Sequence, residues 1–247
     1  MLPTSPISTK ATAVTGLHVV SGQLFYNTTK VDSVNIQTCL IDFNNWLKDI
    51  TKPLLVCHNG KKFDSIILVK SILKYPECDL RSSIGGFVDS LPVFREIFPD
   101  KPSHKLETLV QDTMGMTYNV HSALEDVKAL QSLVLHHKVS DDIMLKHSFG
   151  VEFVVSSIEI KTKTDTLIST LTPLSLCISD YMLKKIAKSG LSYDHLRLAT
   201  ERGGMEGLQN VLGEKMDNGS LRVTKNRTSF PLKHSVTLPY HLFQWPV

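Results

Sequence analysis

Asp64, His121 and Asp126 are the side chains whose types and spacing in this sequence could do chemistry. Asp64 closes the run His58-Asn-Gly-Lys-Lys-Phe-Asp64, just past the apolar stretch Leu54-Leu-Val-Cys57. His121 and Asp126 belong to Tyr118-Asn-Val-His-Ser-Ala-Leu-Glu-Asp126. Carboxylate oxygens are the ligands that hard divalent cations prefer. A histidine titrates near neutrality and can take a proton from an attacking water. Standing alone, a histidine shortly before an aspartate also fits a plainer reading, a polar residue ahead of an ordinary capped helix.

The elements that must position these groups read as βα punctuation. Ser122-x-x-Glu125 has the form of a capping box, which predicts Ser122 as N-cap. Asp126 then falls in the first turn, where the helix dipole favours a carboxylate. From Ala123 the helix continues through Val127, Leu130 and Val134, an apolar stripe expected to pack in the core. His136 and His137 close it and read as solvated C-terminal residues. Upstream, Asp42 to Asp49 reads as a short amphipathic helix ending before Pro53. A strand over 53–57 leads to a turn at Gly60, and Phe63, Ile66, Ile67 and Ser71 continue at helical spacing until Tyr75-Pro76. A second strand is expected over 86–90, and Asp100-Lys-Pro-Ser103 reads as a loop.

These segments, in this order, resemble the second and third motifs of the DEDDh 3′–5′ exonucleases, a ribonuclease-H-like family. The His58-Asn-Gly-Lys-Lys-Phe-Asp64 run is similar to the form seen in the TREX branch. Gly86-Phe-Val-Asp-Ser-Leu-Pro-Val-Phe-Arg95 and Ser103-His-Lys-Leu-Glu-Thr-Leu-Val110 resemble the family's fifth strand and the helices after it. The resemblance is nearer still to proteins related to the exonuclease-like region of PML, through the Lys-Leu-Glu-Thr-Leu-Val run and the helix that holds Asp126. It implies hydrolysis of a phosphodiester by two Mg²⁺ or Mn²⁺ ions about 3.5–4 Å apart. Asp126 would be a direct metal ligand, Asp64 would hold metal through water, and His121 would be the general base. Asn59, Lys61 and Lys62, beside the second motif, would meet a phosphate backbone, a contact that positions without reading sequence. The implied partner is a single-stranded or 3′-end nucleic acid, DNA over RNA. For the lysines, a solvated loop is the plainer alternative.

One family landmark has no counterpart. No Asp-x-Glu occurs anywhere in the 247 residues, and the family carries that pair on its opening strand. Pro3 to Leu17 resembles the segment that follows the family's third strand, so the expected fold is α/β: a ribonuclease-H-like exonuclease domain lacking its first three strands, and therefore N-terminally truncated. Two carboxylates hold two divalent cations poorly, so this chain alone is expected to be inactive. The strands at 53–57 and 86–90 are expected to leave an apolar edge open to another chain. The alternative function is a non-catalytic module related to the PML exonuclease-like region, binding nucleic acid or a protein partner.

The expected organisation is an exonuclease-like domain over 1–138, a linker over 139–176, a small helical unit over 177–227 and a disordered tail over 228–247. In the helical unit, Ser179 is expected to cap a helix ending near Gly190 and Ser192 to start another, stopped at Gly203-Gly204, with a third from Met205 to Leu212. Lys184, Lys185, Lys188 and Arg197 are a thin basic face for a helix-turn-helix reader. The formal net charge of +3 does not demand a nucleic-acid partner. No apolar run approaches a membrane span, and the N-terminus lacks the apolar stretch of a secretory signal. Cys39, Cys57, Cys78 and Cys177 lack Cys-x-x-Cys spacing. The expectation is an intracellular protein, nuclear or cytoplasmic.

Overall fold

The computed structural model describes residues 1–3, 5–120 and 122–225. They divide into two compact units, Met1–Ser156 and Ser157 onward. Among the described residues the chain is mixed α/β, with eleven α-helices and two three-stranded sheets. No helix among them is long and apolar enough to cross a membrane.

The first unit opens with α1 (Thr9–Thr15), capped by the Ser8 hydroxyl, which accepts the Ala11 N–H at 3.2 Å. An antiparallel meander follows: β1 (Leu17–Val20), β2 (Gln23–Tyr26) and β3 (Thr29–Val31). Ser21 and Gly22 join the first two strands, both with positive φ (49° and 74°), as a two-residue hairpin loop of the favoured twist requires. Leu24 is the buried side chain of this sheet, so its sequence lacks the alternation that flags a half-buried strand.

Helix α2 (Ile36–Leu47) begins ahead of the expected start at Asp42, because the Asn35 side chain caps it by accepting the Thr38 N–H at 2.9 Å. Then come β4 (Leu54–Cys57), α3 (Asp64–Lys74), a 3-10 turn at Pro76–Cys78, α4 (Leu80–Ser83) and β5 (Gly86–Asp89). The two strands are parallel, with Leu54 opposite Gly86 and Cys57 opposite Asp89. A parallel pair needs a crossover, and α3 lies on it. Helices α5 (Ser90–Ile97), α6 (Leu106–Met114) and α7 (Ala123–His136) pack Phe94, Leu109, Val110, Leu130 and Leu133 into one cluster. Burying each such side chain contributes roughly 1.5–3 kcal/mol.

The expected linker over 139–176 is instead mostly structured. It holds α8 (Asp141–Lys146), the short strand β6 (Ser148–Phe149) and the whole of α9 (Val151–Thr170). Strand β6 pairs antiparallel with β5, Phe87 opposite Phe149. Every residue of β5 is therefore buried, while β4 stands at the sheet's edge. The close pairing explains Gly86, whose φ is 154°: a Cβ there would sit 2.7 Å from the Phe149 carbonyl oxygen.

Two local expectations for α7 do not hold. Ser122 is its N-cap residue, but its side chain makes no capping hydrogen bond, and Glu125 pairs with Lys128 at 3.0 Å instead. Val127 is not core but 64% exposed; the buried positions are Ala129, Leu130 and Leu133.

The second unit contains most of α9, then α10 (Asp180–Lys188) and α11 (Tyr193–Leu212). Ser179 and Ser192 cap the last two helices as expected, and His195 closes a capping box with Ser192. Gly203 and Gly204 lie inside α11 with non-helical backbone, which bends the helix at the predicted stop. Leu171, Leu183, Ile186, Leu191, Leu196 and Val223 form the core. The residues from 226 on, which include the expected tail over 228–247, lie outside the described residues.

Candidate functional site

The loop between β4 and α3 is held by one buried carboxylate. Asp89, at the end of β5, is 3% exposed. Its Oδ1 accepts the Asn59 N–H at 2.8 Å and the Leu91 N–H at 3.0 Å; its Oδ2 accepts the Lys61 N–H at 3.1 Å. The Leu91 bond caps α5, so the same side chain starts a helix and fixes a turn. Asn59 takes the left-handed conformation (φ 60°) that asparagine tolerates well. Gly60 packs against Cys57 so closely that a Cβ would fall 1.8 Å from its sulfur.

His58 braces this loop from its other side. Nε2 lies 2.9 Å from the His104 carbonyl and Nδ1 lies 2.9 Å from the Ser90 hydroxyl. A carbonyl only accepts, so Nε2 carries the proton and Nδ1 accepts from Ser90. Burial lowers the His58 pKa from its ordinary value, outweighing the His104 hydrogen bond and the charges of Asp89 and Asp64, so the ring is neutral. The Cys57 thiol is pushed up to about 12, first by burial and then by Asp64 and Asp89. It is a structural thiol rather than a nucleophile.

Asp64 is the first residue of α3 and Asp126 lies in the first turn of α7. Both line one cleft of about 740 Å³, which runs beside β4 and is also bordered by α2, α3 and α6. Tyr118 lines it too. Burial pushes its hydroxyl up to about 12, reinforced by the charge of Asp126, by a hydrogen bond to it and by the charge of Glu107. The phenol is thus protonated at neutral pH, beside Asp126. His121, expected as general base, lies outside the described residues.

Two of the three residues expected to meet phosphate have other engagements. Asn59 and Lys61 give their backbone N–H groups to Asp89. The Lys61 ammonium sits 5.0 Å from the Phe149 ring centroid and 5.7 Å from that of Phe153, a cation–π arrangement. Lys62 is exposed on the same loop.

Among the described residues the donor set does not fit a two-metal centre. Asp64, Asp126 and Glu107 line the cleft and supply three negative charges against the four positive charges of two divalent ions. Among the described residues, no three Asp, Glu, His or Cys side chains are grouped so as to hold a metal.

Sequence reasoning missed the groups that shape the site, Asp89, His58, Ser90 and Tyr118. Asp89 carried a signal: an Asp closing an apolar strand directly ahead of a helix is a strong N-cap pattern. The second role, latching a loop from another part of the chain, has no local signature.

Comparison with known proteins bears on the second unit. Residues 168–230 match the family model described as PML, C-terminal domain. The match supports a relation to PML-type proteins for the helical unit. No curated protein matches the chain.

Proposed function

We propose that the first unit is a 3′–5′ exonuclease-type module of ribonuclease-H-like ancestry, and that this chain by itself binds single-stranded or 3′-end nucleic acid without hydrolysing it. One observation carries the reading. Asp64 and Asp126, the acidic residues of the two motifs that resemble the family, lie far apart in sequence yet line the same cleft. The absence of hydrolysis follows from the donor set, since no Asp-x-Glu occurs in the sequence to supply the remaining carboxylates. Nucleic acid in place of a small substrate follows from the same resemblance, DNA being the preferred strand.

The test uses the full chain and a 5′-labelled single-stranded DNA with Mg²⁺ or Mn²⁺. The expected result is retention of the labelled strand in a gel-shift experiment with no shortening of it. Robust digestion that Asp126→Ala abolishes would overturn the inactive half of the reading. Failure to retain the strand at any protein concentration up to about 100 µM, the weak end of non-specific binding, would overturn the binding half.

A further inference from the structure

Helix α11 breaks at Gly203 and Gly204, and Gly204 holds φ 55° and ψ −142° there. Glycine adopts that backbone readily and residues with a Cβ do not. Residues 201–206 are all exposed, and a Cβ at either glycine would meet nothing within 4 Å. The apex of the bend thus stands in solvent. What keeps it closed lies further along. Gly207 packs so tightly on the first half of the helix that a Cβ there would sit 2.3 Å from the Ala199 carbonyl oxygen. Leu208, Leu212 and Val223 then join one core cluster with Leu183, Ile186 and Leu196.

We infer that this bend is a hinge for exchange between two copies of the chain. When α11 straightens, the segment that begins at Met205 leaves its own core and fills the same place in the second copy. The core contacts are the same in both forms, so the closed monomer and the exchanged dimer differ at the hinge alone. Two opposing effects act there. Straightening restores the backbone hydrogen bonds that a helix break forgoes, and it sets Arg202 and Glu206 at i, i+4 spacing, where opposite charges attract. Two adjacent glycines disfavour the straight helix and keep the bent form the resting one. The occupant is a second copy because the vacated place is shaped for this segment. It needs a glycine opposite Ala199 and leucines one and five residues further on, at the positions of Leu208 and Leu212. Every residue involved lies in the second unit, so the inference does not rest on the nuclease reading.

The test is sedimentation equilibrium of the full chain after refolding from urea, the parent beside Gly204→Ala and Gly207→Ala at equal concentration. Gly204→Ala burdens the bent form alone, by about fivefold or more at each hinge, so the two hinges of a dimer should lower its Kd about thirtyfold or more. Gly207→Ala burdens the contact with Ala199 in both forms and should leave the dimer fraction no higher than in the parent. A photoreactive leucine analogue in place of the buried Leu212 then reports whose core it occupies. Irradiation should link two chains covalently in Gly204→Ala, and to a smaller extent in the parent, so the readout stands even where the variant folds poorly. A Gly204→Ala chain no more dimeric than the parent would overturn the inference. So would an equal rise in dimer for Gly207→Ala, which would tie association to lost stability in general. Dimers in which the analogue links only within its own chain would do the same, since they would be side-by-side pairs without exchange.

Discussion

In the loop that leads into α3, the Asp89 Oδ1 accepts the Asn59 N–H at 2.8 Å. A side chain at the end of one strand thereby sets the left-handed turn at the end of its neighbour, and with it the start of the helix that carries Asp64. The latch thereby positions the wall of the cleft that carries Asp64.

Replacing Asp89 with Ala removes the acceptor of three backbone N–H groups, those of Asn59, Lys61 and Leu91. Hydrogen bonds to a charged group contribute about 1.5–3 kcal/mol each, and the orphaned donors can turn partly to water. A loss of about 3 kcal/mol in urea unfolding is expected. A loss below about 0.5 kcal/mol, the range of an inert surface change, would remove Asp89 from this role.

Gly60→Ala places a methyl group where the Cys57 sulfur lies, 1.8 Å away. Overpacking of this kind costs about 1–3 kcal/mol. Adding Cys57→Ala removes the sulfur but leaves the Cys57 Cβ 2.9 Å away, so recovery should be partial. A double-mutant cycle on thermal unfolding reads this coupling. Additive effects would show that the two positions do not meet.

Stability should fall as pH drops from 7.5 towards 5. The folded-state pKa of His58 lies below its ordinary 6.5, chiefly through burial. The unfolded chain then binds the proton first, so the His58 contribution is complete above about 6.5 and is lost as pH falls towards the lowered value. His137 is shifted in the same direction, by burial and by the neighbouring His136, and adds to the slope. His58→Gln should flatten the pH dependence of the urea midpoint in this window. An unchanged slope would mean that His58 is not held neutral.

In the second unit, Gly204 has φ 55° and ψ −142°, a region that residues with a Cβ avoid. Gly204→Ala should cost about 1–3 kcal/mol. Gly203→Ala, at φ −140° and ψ 16°, should cost less. Circular dichroism melts of the two variants test the difference, and equal melts would place the bend elsewhere.

Legibility differed from element to element. The strand at Leu54–Cys57, the Gly60 turn and the helix through Ile66 and Ile67 were readable, because apolar runs and glycine act locally. The caps at Ser179 and Ser192 were readable for the same reason. Val127 misled, since an apolar residue at helical spacing reads as core, yet here it faces a cleft. Strand β6 was hidden because two residues carry no period, and only the pairing of Phe149 with Phe87 makes them a strand.

The sequence by itself determined the order of strands and helices around Asp64 and Asp126 and the bend at Gly203-Gly204. Both depend on residue type and near-neighbour spacing. The tertiary structure alone decided that Asp89 latches the loop, that His58 is held between the Ser90 hydroxyl and the His104 carbonyl, and that Phe149 pairs with Phe87. Each of these is a contact between residues distant in the chain, and such contacts are selected by how whole elements pack rather than by any local run of side chains.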